Sequence, residues 1–136
     1  MKCFSIIPII ASMIAISGLS VKKEQGSLPA SVKRGKLVYD QTCLACHQAD
    51  GSGVPRMNPP LIKTKWVLGD KNTLINIVLK GLNEEIEVEG ETYHNAMPPH
   101  NFLTDQQIAD VLTFVRNSFT NKATAITVAE VKKARQ

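Results

Sequence analysis

A chain of 136 residues, with 43% hydrophobic and 21% charged residues, has the size of one domain and lacks the bias of a fibrous or disordered protein. A formal net charge of +4, without a basic stripe interleaved with aromatics, excludes an ordinary nucleic-acid binder. Three cysteines exclude a disulfide framework, because Cys3 stands at the extreme start and only Cys43 and Cys46 remain downstream.

Residues 1–20 have the layout of a secretory signal. Lys2 gives a positive start, Ile6 to Ile16 an apolar stretch, and Ala15, Ser17, Gly18 and Ser20 small residues for cleavage, expected after Ser17 or Ser20. The stretch is shorter than the about 20 residues that span a bilayer. The expected location is therefore the periplasm or another exported compartment, with membrane attachment only if this segment stays uncleaved. Cys3 lies too early to carry a lipid anchor.

Residues 21–30 read as a polar linker containing Gly26 and Pro29. Ser31 has the character of an N-cap for a helix reaching about Gln41, interrupted by Gly35. An interior glycine costs about 1 kcal/mol relative to alanine, and close approach of another helix would account for it. From Cys43 to Lys65 the chain is rich in Gly, Pro and Asn and reads as a loop wrapped around something. Asp70 caps a second helix with Leu74, Ile75, Val78 and Leu79 on one face and Gly81 at its end. Ile86 and Val88 alternate with glutamates up to Gly90, the pattern of a short, half-exposed hairpin. Thr104 and Gln107 have capping-box spacing before a third helix striped with Ile108, Val111, Leu112, Val115 and Phe119. Thr127 and Glu130 repeat the box for a short, peripheral terminal helix. The expected organisation is a signal at 1–20, a linker at 21–30, one domain at 31–120 and a tail at 121–136.

The motif that carries chemistry is Cys43-Leu44-Ala45-Cys46-His47, which reads C-x-x-C-H, the attachment signature of c-type haem. Two thiols at this spacing each form a thioether to a haem vinyl group, and the adjacent imidazole becomes an axial ligand. A zinc reading would need a second ligand pair, which His94 and His100 would have to supply across two prolines. A thioredoxin-like dithiol would need a βαβ pattern, which is absent. Long loops in so small a chain need a surface to pack on, and a flat apolar macrocycle provides one. Met97, followed by Pro98 and Pro99 and 50 residues after His47, is the candidate sixth ligand. Thioether sulfur suits ferrous haem and raises its potential relative to a second imidazole. His94 and His100 are the runner-up ligands, and Met57 lies too close to the attachment segment. The second nitrogen of His47 is expected to donate to a backbone carbonyl of Pro59 or Pro60. Trp66 is a candidate to hydrogen-bond a haem propionate through its indole N–H, with Arg56 and Tyr93 as weaker candidates. Glu84, Glu85, Glu87, Glu89 and Glu91 crowd one segment, which reads as a solvated face before it reads as a docking patch.

On these residues the chain resembles a class I, monohaem c-type cytochrome of the small bacterial periplasmic type, over about residues 31–119. Gly35 and Tyr39 match the family's glycine and aromatic on the first helix, and Val111 and Phe114 match the aliphatic and aromatic of the last helix that crosses there. Pro59-Pro60-Leu61 matches the proline-leucine segment, and Met97 matches the ligand. The resemblance implies an all-α cytochrome c fold: three to four helices around one covalent haem c with its iron, and here a short β-hairpin before the Met-ligand loop. It implies one-electron transfer with His47 and Met97 as ligands, and redox partner proteins, a dehydrogenase donor and an oxidase or other acceptor. The chain would act as a carrier and not as an enzyme. An alternative is a cytochrome subunit of a periplasmic dehydrogenase or oxidase, and a lesser one a haem enzyme or sensor with an open sixth site. The hairpin and the tail after Asn121 depart from the simplest members.

Overall fold

The first helix begins earlier than its sequence suggested. In the computed structural model, which describes residues 26–136, Ser27 and not Ser31 is the N-cap, its hydroxyl accepting from the Ala30 N–H at 3.4 Å. Pro29 falls in the first turn, where its missing N–H has no intrahelical partner to lose. Helix α1 therefore runs Leu28–Thr42, so residues 28–30 belong to it and not to a linker. Ser31 instead donates across the domain to the Asp110 carboxylate at 2.5 Å. The signal-like segment 1–20 and residues 21–25 of the expected linker lie outside the described residues.

Gly35 does not interrupt α1; it lets another helix through. Helix α5, Asp105–Asn117, crosses so closely that a Cβ on Gly35 would sit 1.9 Å from the Asp110 carbonyl oxygen and 2.7 Å from the Phe114 Cβ. The residue met at the crossing is thus Asp110, together with Phe114, while Val111 faces the cleft described below. One turn on, the Tyr39 ring packs at 5.2 Å from Phe114 and 5.4 Å from Phe119, and its hydroxyl donates to the Gln48 carbonyl at 2.6 Å. Beside the crossing, Asp110 accepts from Arg34 Nε at 2.7 Å, from Arg34 Nη2 at 2.8 Å and from Gln106 at 3.0 Å. Burial pushes the Asp110 carboxyl up, but the donors from Arg34, Ser31 and Gln106 outweigh it and hold the group below its ordinary range.

The rest of the fold hangs on this pair. The stretch read as irregular contains two single turns: α2, Leu44–His47, and the start of α3, Lys65–Leu68. Helix α4, Lys71–Lys80, is capped by Asp70, whose carboxylate accepts from the Thr73 N–H at 2.7 Å, and it ends at Gly81. Strands β1, Ile86–Val88, and β2, Glu91–Tyr93, form an antiparallel hairpin with Glu87 opposite Thr92. Thr104 and Gln107 close the capping box of α5. Six helices stand among the described residues, four of them longer than one turn. None is long and apolar enough to cross a membrane.

The tail is not peripheral. Thr127 and Glu130 form the expected box at the start of helix α6, Val128–Ala134. Val131 is fully buried, and it joins the core cluster together with Ile126. Buried Thr113 of α5 accepts from the Ile126 N–H at 2.9 Å and donates to its carbonyl at 3.2 Å. Lys71 bridges to Glu130 at 3.0 Å and donates to the Ala125 carbonyl at 2.7 Å. Val128 and Val131, three residues apart, are the only large apolar residues of α6, too short a stripe to reveal that α4 and α5 leave a slot for it.

Candidate functional site

One turn of helix α2 brings the motif together. The His47 and Cys46 amides both donate to the Cys43 carbonyl, at 3.0 and 3.2 Å, so both cysteines and the histidine open onto one cleft. His47 Nδ1 lies 3.0 Å from the Pro59 carbonyl. A carbonyl can only accept, so Nδ1 carries the proton and Nε2 keeps its lone pair. Burial lowers the pKa of His47, outweighing the Pro59 bond that raises it, so the ring is neutral near pH 7. Burial, with Cys46 beside it, pushes the Cys43 thiol up to about 11, the opposite of the low value a redox dithiol requires.

The space between the cleft walls, open solvent at its mouth included, is about 1300 Å³. Its walls are largely apolar. Pro59, Pro60 and Leu61 come from the loop, Val67 from α3, Leu74 and Val78 from α4, and Val111, Leu112 and Val115 from α5. The hairpin forms a further wall through Ile86, Val88 and Tyr93. Cys46 is exposed and Cys43 half-buried, so one edge of the site lies at the molecular surface.

Met97 reaches the same cleft. Its backbone is pinned from both sides: its N–H donates to the Leu82 carbonyl at 2.8 Å, and the Leu82 N–H donates to its carbonyl at 2.9 Å. Gly81 makes this pairing possible. At φ +76° it occupies a region that favours glycine, and a Cβ there would stand 2.5 Å from the Met97 carbonyl oxygen. Read from sequence, Gly81 was a helix stop; its second role, in seating Met97, has no local signal. Met57 is half-exposed and does not line the cleft, and His94 is exposed and paired with Glu85 at 2.9 Å. His100 does line the cleft, and its Nδ1 is buried without a hydrogen-bond partner among the described residues.

Two expected contacts come out differently. Trp66 lines the cleft, but its indole N–H donates to the Glu87 carbonyl at 3.4 Å and so ties the hairpin to α3. Arg56 is highly exposed, stands 3.5 Å from Glu91, and does not line the cleft. Of the two proline carbonyls, it is Pro59 that meets His47. Sequence reading also missed Asn121. This buried amide donates to the Leu61 and Val115 carbonyls, both at 2.8 Å, and accepts from the Lys63 N–H at 2.7 Å, fixing the exit of the proline loop. Two of its partners, Leu61 and Lys63, are 60 and 58 residues away in the chain, beyond any motif.

The residues present fit a covalently tethered haem. Two sulfurs and an imidazole with a free Nε2 share a cleft whose walls are apolar enough for a macrocycle, and His100 Nδ1 is a buried polar atom left over by the protein.

Known proteins point the same way. The cytochrome c family profile matches residues 32–119. The chain is 34% identical over 119 residues to cytochrome c-552 of Thermus thermophilus, covering 81% of this chain and 80% of that protein. It is 34% identical over 116 residues to the cytochrome c subunit of a quinone alcohol dehydrogenase from Gluconacetobacter polyoxogenes. It is also 38% identical over 102 residues to the gluconate 2-dehydrogenase cytochrome c subunit of Pantoea cypripedii. Those matches cover 74% and 71% of this chain, which spans only 22% of each dehydrogenase subunit's length.

Proposed function

The chain belongs to the cytochrome c family, whose cofactor is haem c, and from that premise we propose that it carries single electrons between redox proteins. The cofactor is a single haem, tethered through Cys43 and Cys46, with His47 and Met97 as axial ligands. When bound, the haem supplies an iron that alternates between Fe(II) and Fe(III). The observation that carries this reading is the convergence of Cys43, Cys46, His47 and Met97 on one apolar cleft.

Each residue has a distinct task. Pro59 fixes the tautomer and ring orientation of His47 and increases its basicity as a ligand. Leu82 and Gly81 hold the Met97 backbone, so a weak sulfur ligand stays in place without help from its own bond strength. The apolar walls exclude water and disfavour the extra charge of the ferric state, which raises the potential. With both ligands fixed by backbone bonds, little has to rearrange as the electron moves. Electrons enter and leave over the edge where Cys46 is exposed, through a small transient interface with a dehydrogenase donor or an oxidase or other acceptor. Residues 1–20 direct export, residues 31–120 form the cytochrome unit, and the carrier works in the periplasm or another exported compartment.

A second reading, that the chain serves as the cytochrome subunit of a dehydrogenase, draws on the names of the relatives that are such subunits. Co-purification with a large dehydrogenase partner would favour it over a free carrier.

The test is protein exported alongside a haem-attachment system. Mass and a pyridine haemochrome should report one haem per chain. The ferric form should show the long-wavelength absorption of thioether-ligated haem, and Met97→Ala should abolish it and lower the midpoint potential. A high-spin ferric spectrum in the parent protein would refute Met97 as ligand. Haem-free mature protein would refute the whole reading.

A further inference from the structure

Residues 121–136 lie beyond the family match, yet their last helix ends on the segment that follows Met97. Arg135 Nε meets the Asp105 carboxylate at 2.5 Å. Its Nη1 donates to the Asn101 carbonyl at 3.0 Å and its Nη2 to the Leu103 carbonyl at 2.5 Å. One guanidinium thus grips both ends of the turn joining the Met97 loop to α5, using the planar fork that lysine does not possess. Leu103 is buried and lines the same cleft as Met97, so the grip on its carbonyl also holds part of the cleft wall.

The loop's other anchors lie on α4 and just after it: Met97 pairs with Leu82, and the His100 N–H donates to the Val78 carbonyl at 2.8 Å. Those bonds fix the start of the loop. The Leu103 N–H bonds only within the loop, to the His100 carbonyl at 3.1 Å. Among the described residues, apart from the cap by which Thr104 starts α5, Arg135 is what ties the far end of the loop to another element. Its helix is in turn seated by buried Val131 and by the Lys71–Glu130 pair.

We propose that Arg135 is a positioning residue for the Met97 loop, and that helix α6 is a clasp that keeps the sulfur ligand on the iron. The proposal rests on Met97 as an axial ligand. A loop held at one end opens more often than a loop held at both. An external ligand reaches ferric iron only in the open form, so its apparent affinity reports the open fraction directly.

The experiment is imidazole titration of the ferric holoprotein, with thermal unfolding measured alongside. Arg135→Gln keeps a polar side chain and loses the fork. It should bind imidazole about tenfold more tightly than the parent, the factor corresponding to about 1.4 kcal/mol of lost anchoring. Arg135→Lys should recover part of the difference. Asp110→Asn weakens the α1–α5 crossing, away from both the tail and the ligands, and should lower the melting temperature while leaving imidazole affinity within twofold. If Arg135→Gln lowers the melting temperature but leaves imidazole affinity within twofold, the tail only packs and the proposal falls. Equal tightening in Asp110→Asn would show that any loss of stability opens the loop and would overturn the assignment to Arg135. Should Arg135→Gln fail to accumulate, Asp105→Ala removes one of the three contacts and should tighten imidazole about threefold; no tightening there overturns the proposal as well. Met97→Ala separates the two readings. If its imidazole affinity equals the parent's, Met97 is not a ligand, and the failure lies with the ligand assignment and not with the clasp.

Discussion

Replacing Gly35 by alanine puts the helix crossing to a direct test. The added Cβ would stand 1.9 Å from the Asp110 carbonyl oxygen, and ordinary contact begins near 3.4 Å, so α1 and α5 would have to part by roughly 1.5 Å. The obstacle is backbone, which cannot rotate aside as a side chain can. Overpacking of this kind costs about 1–3 kcal/mol, and a backbone clash belongs at the upper end. Alanine's better helix propensity returns about 1 kcal/mol. The expected net loss is about 2 kcal/mol. For a domain of this size that lowers the melting temperature by about 8 °C, taking about 4 °C per kcal/mol. The 5.2 Å packing of Tyr39 on Phe114 would open with the crossing, so near-ultraviolet circular dichroism should weaken more than far-ultraviolet. The measurement is thermal and urea unfolding of holoprotein followed by both signals. A variant as stable as the parent, or more stable, would show that propensity outweighs contact and that the crossing does not depend on this glycine.

Two further variants probe interactions away from the ligands. Asp110→Asn removes the charge that Arg34, Ser31 and Gln106 converge on and should cost about 1–3 kcal/mol at neutral pH by chemical denaturation. The folded carboxyl ionises below its ordinary value, so its stabilisation is complete above the unfolded value of about 3.9 and is lost as pH falls through the lower folded one. The gap between parent and variant should therefore close in strong acid; a gap that persists there would mean the loss is steric. Asn121→Ala leaves two buried carbonyls and one amide unpaired and should cost about 3 kcal/mol, read as a lower urea midpoint with haem ligation intact at low urea. An unchanged midpoint would show that water replaces the side chain at no cost.

The functional chemistry of this chain is local, and local chemistry is legible. Cys43, Cys46 and His47 are neighbours because one helical turn makes them so. The caps at Asp70, Thr104 and Thr127 and the stop at Gly81 each depend on residues within about four positions. The hairpin followed from alternation and a terminal glycine. Met97 stands out beside His94 and His100 by the prolines that follow it and its thioether sulfur, and the family likeness agrees. The start of α1 was misplaced because Ser27 and Ser31 are both good caps, and it is Asp110, far along the chain, that engages Ser31.

Local chemistry therefore marked the cofactor and most of the longer elements, though not the single turns α2 and α3, since a tethering motif and a helix cap are satisfied by residues a few places apart. The tertiary structure decided which groups meet across the domain. It put Asp110 against Gly35, gave the Trp66 indole to Glu87 and seated Val131 in the core, and it laid Arg135 over the turn beyond Met97. Such contacts depend on how helices pack in three dimensions, and no spacing along the chain encodes a distance between elements that only their packing brings together.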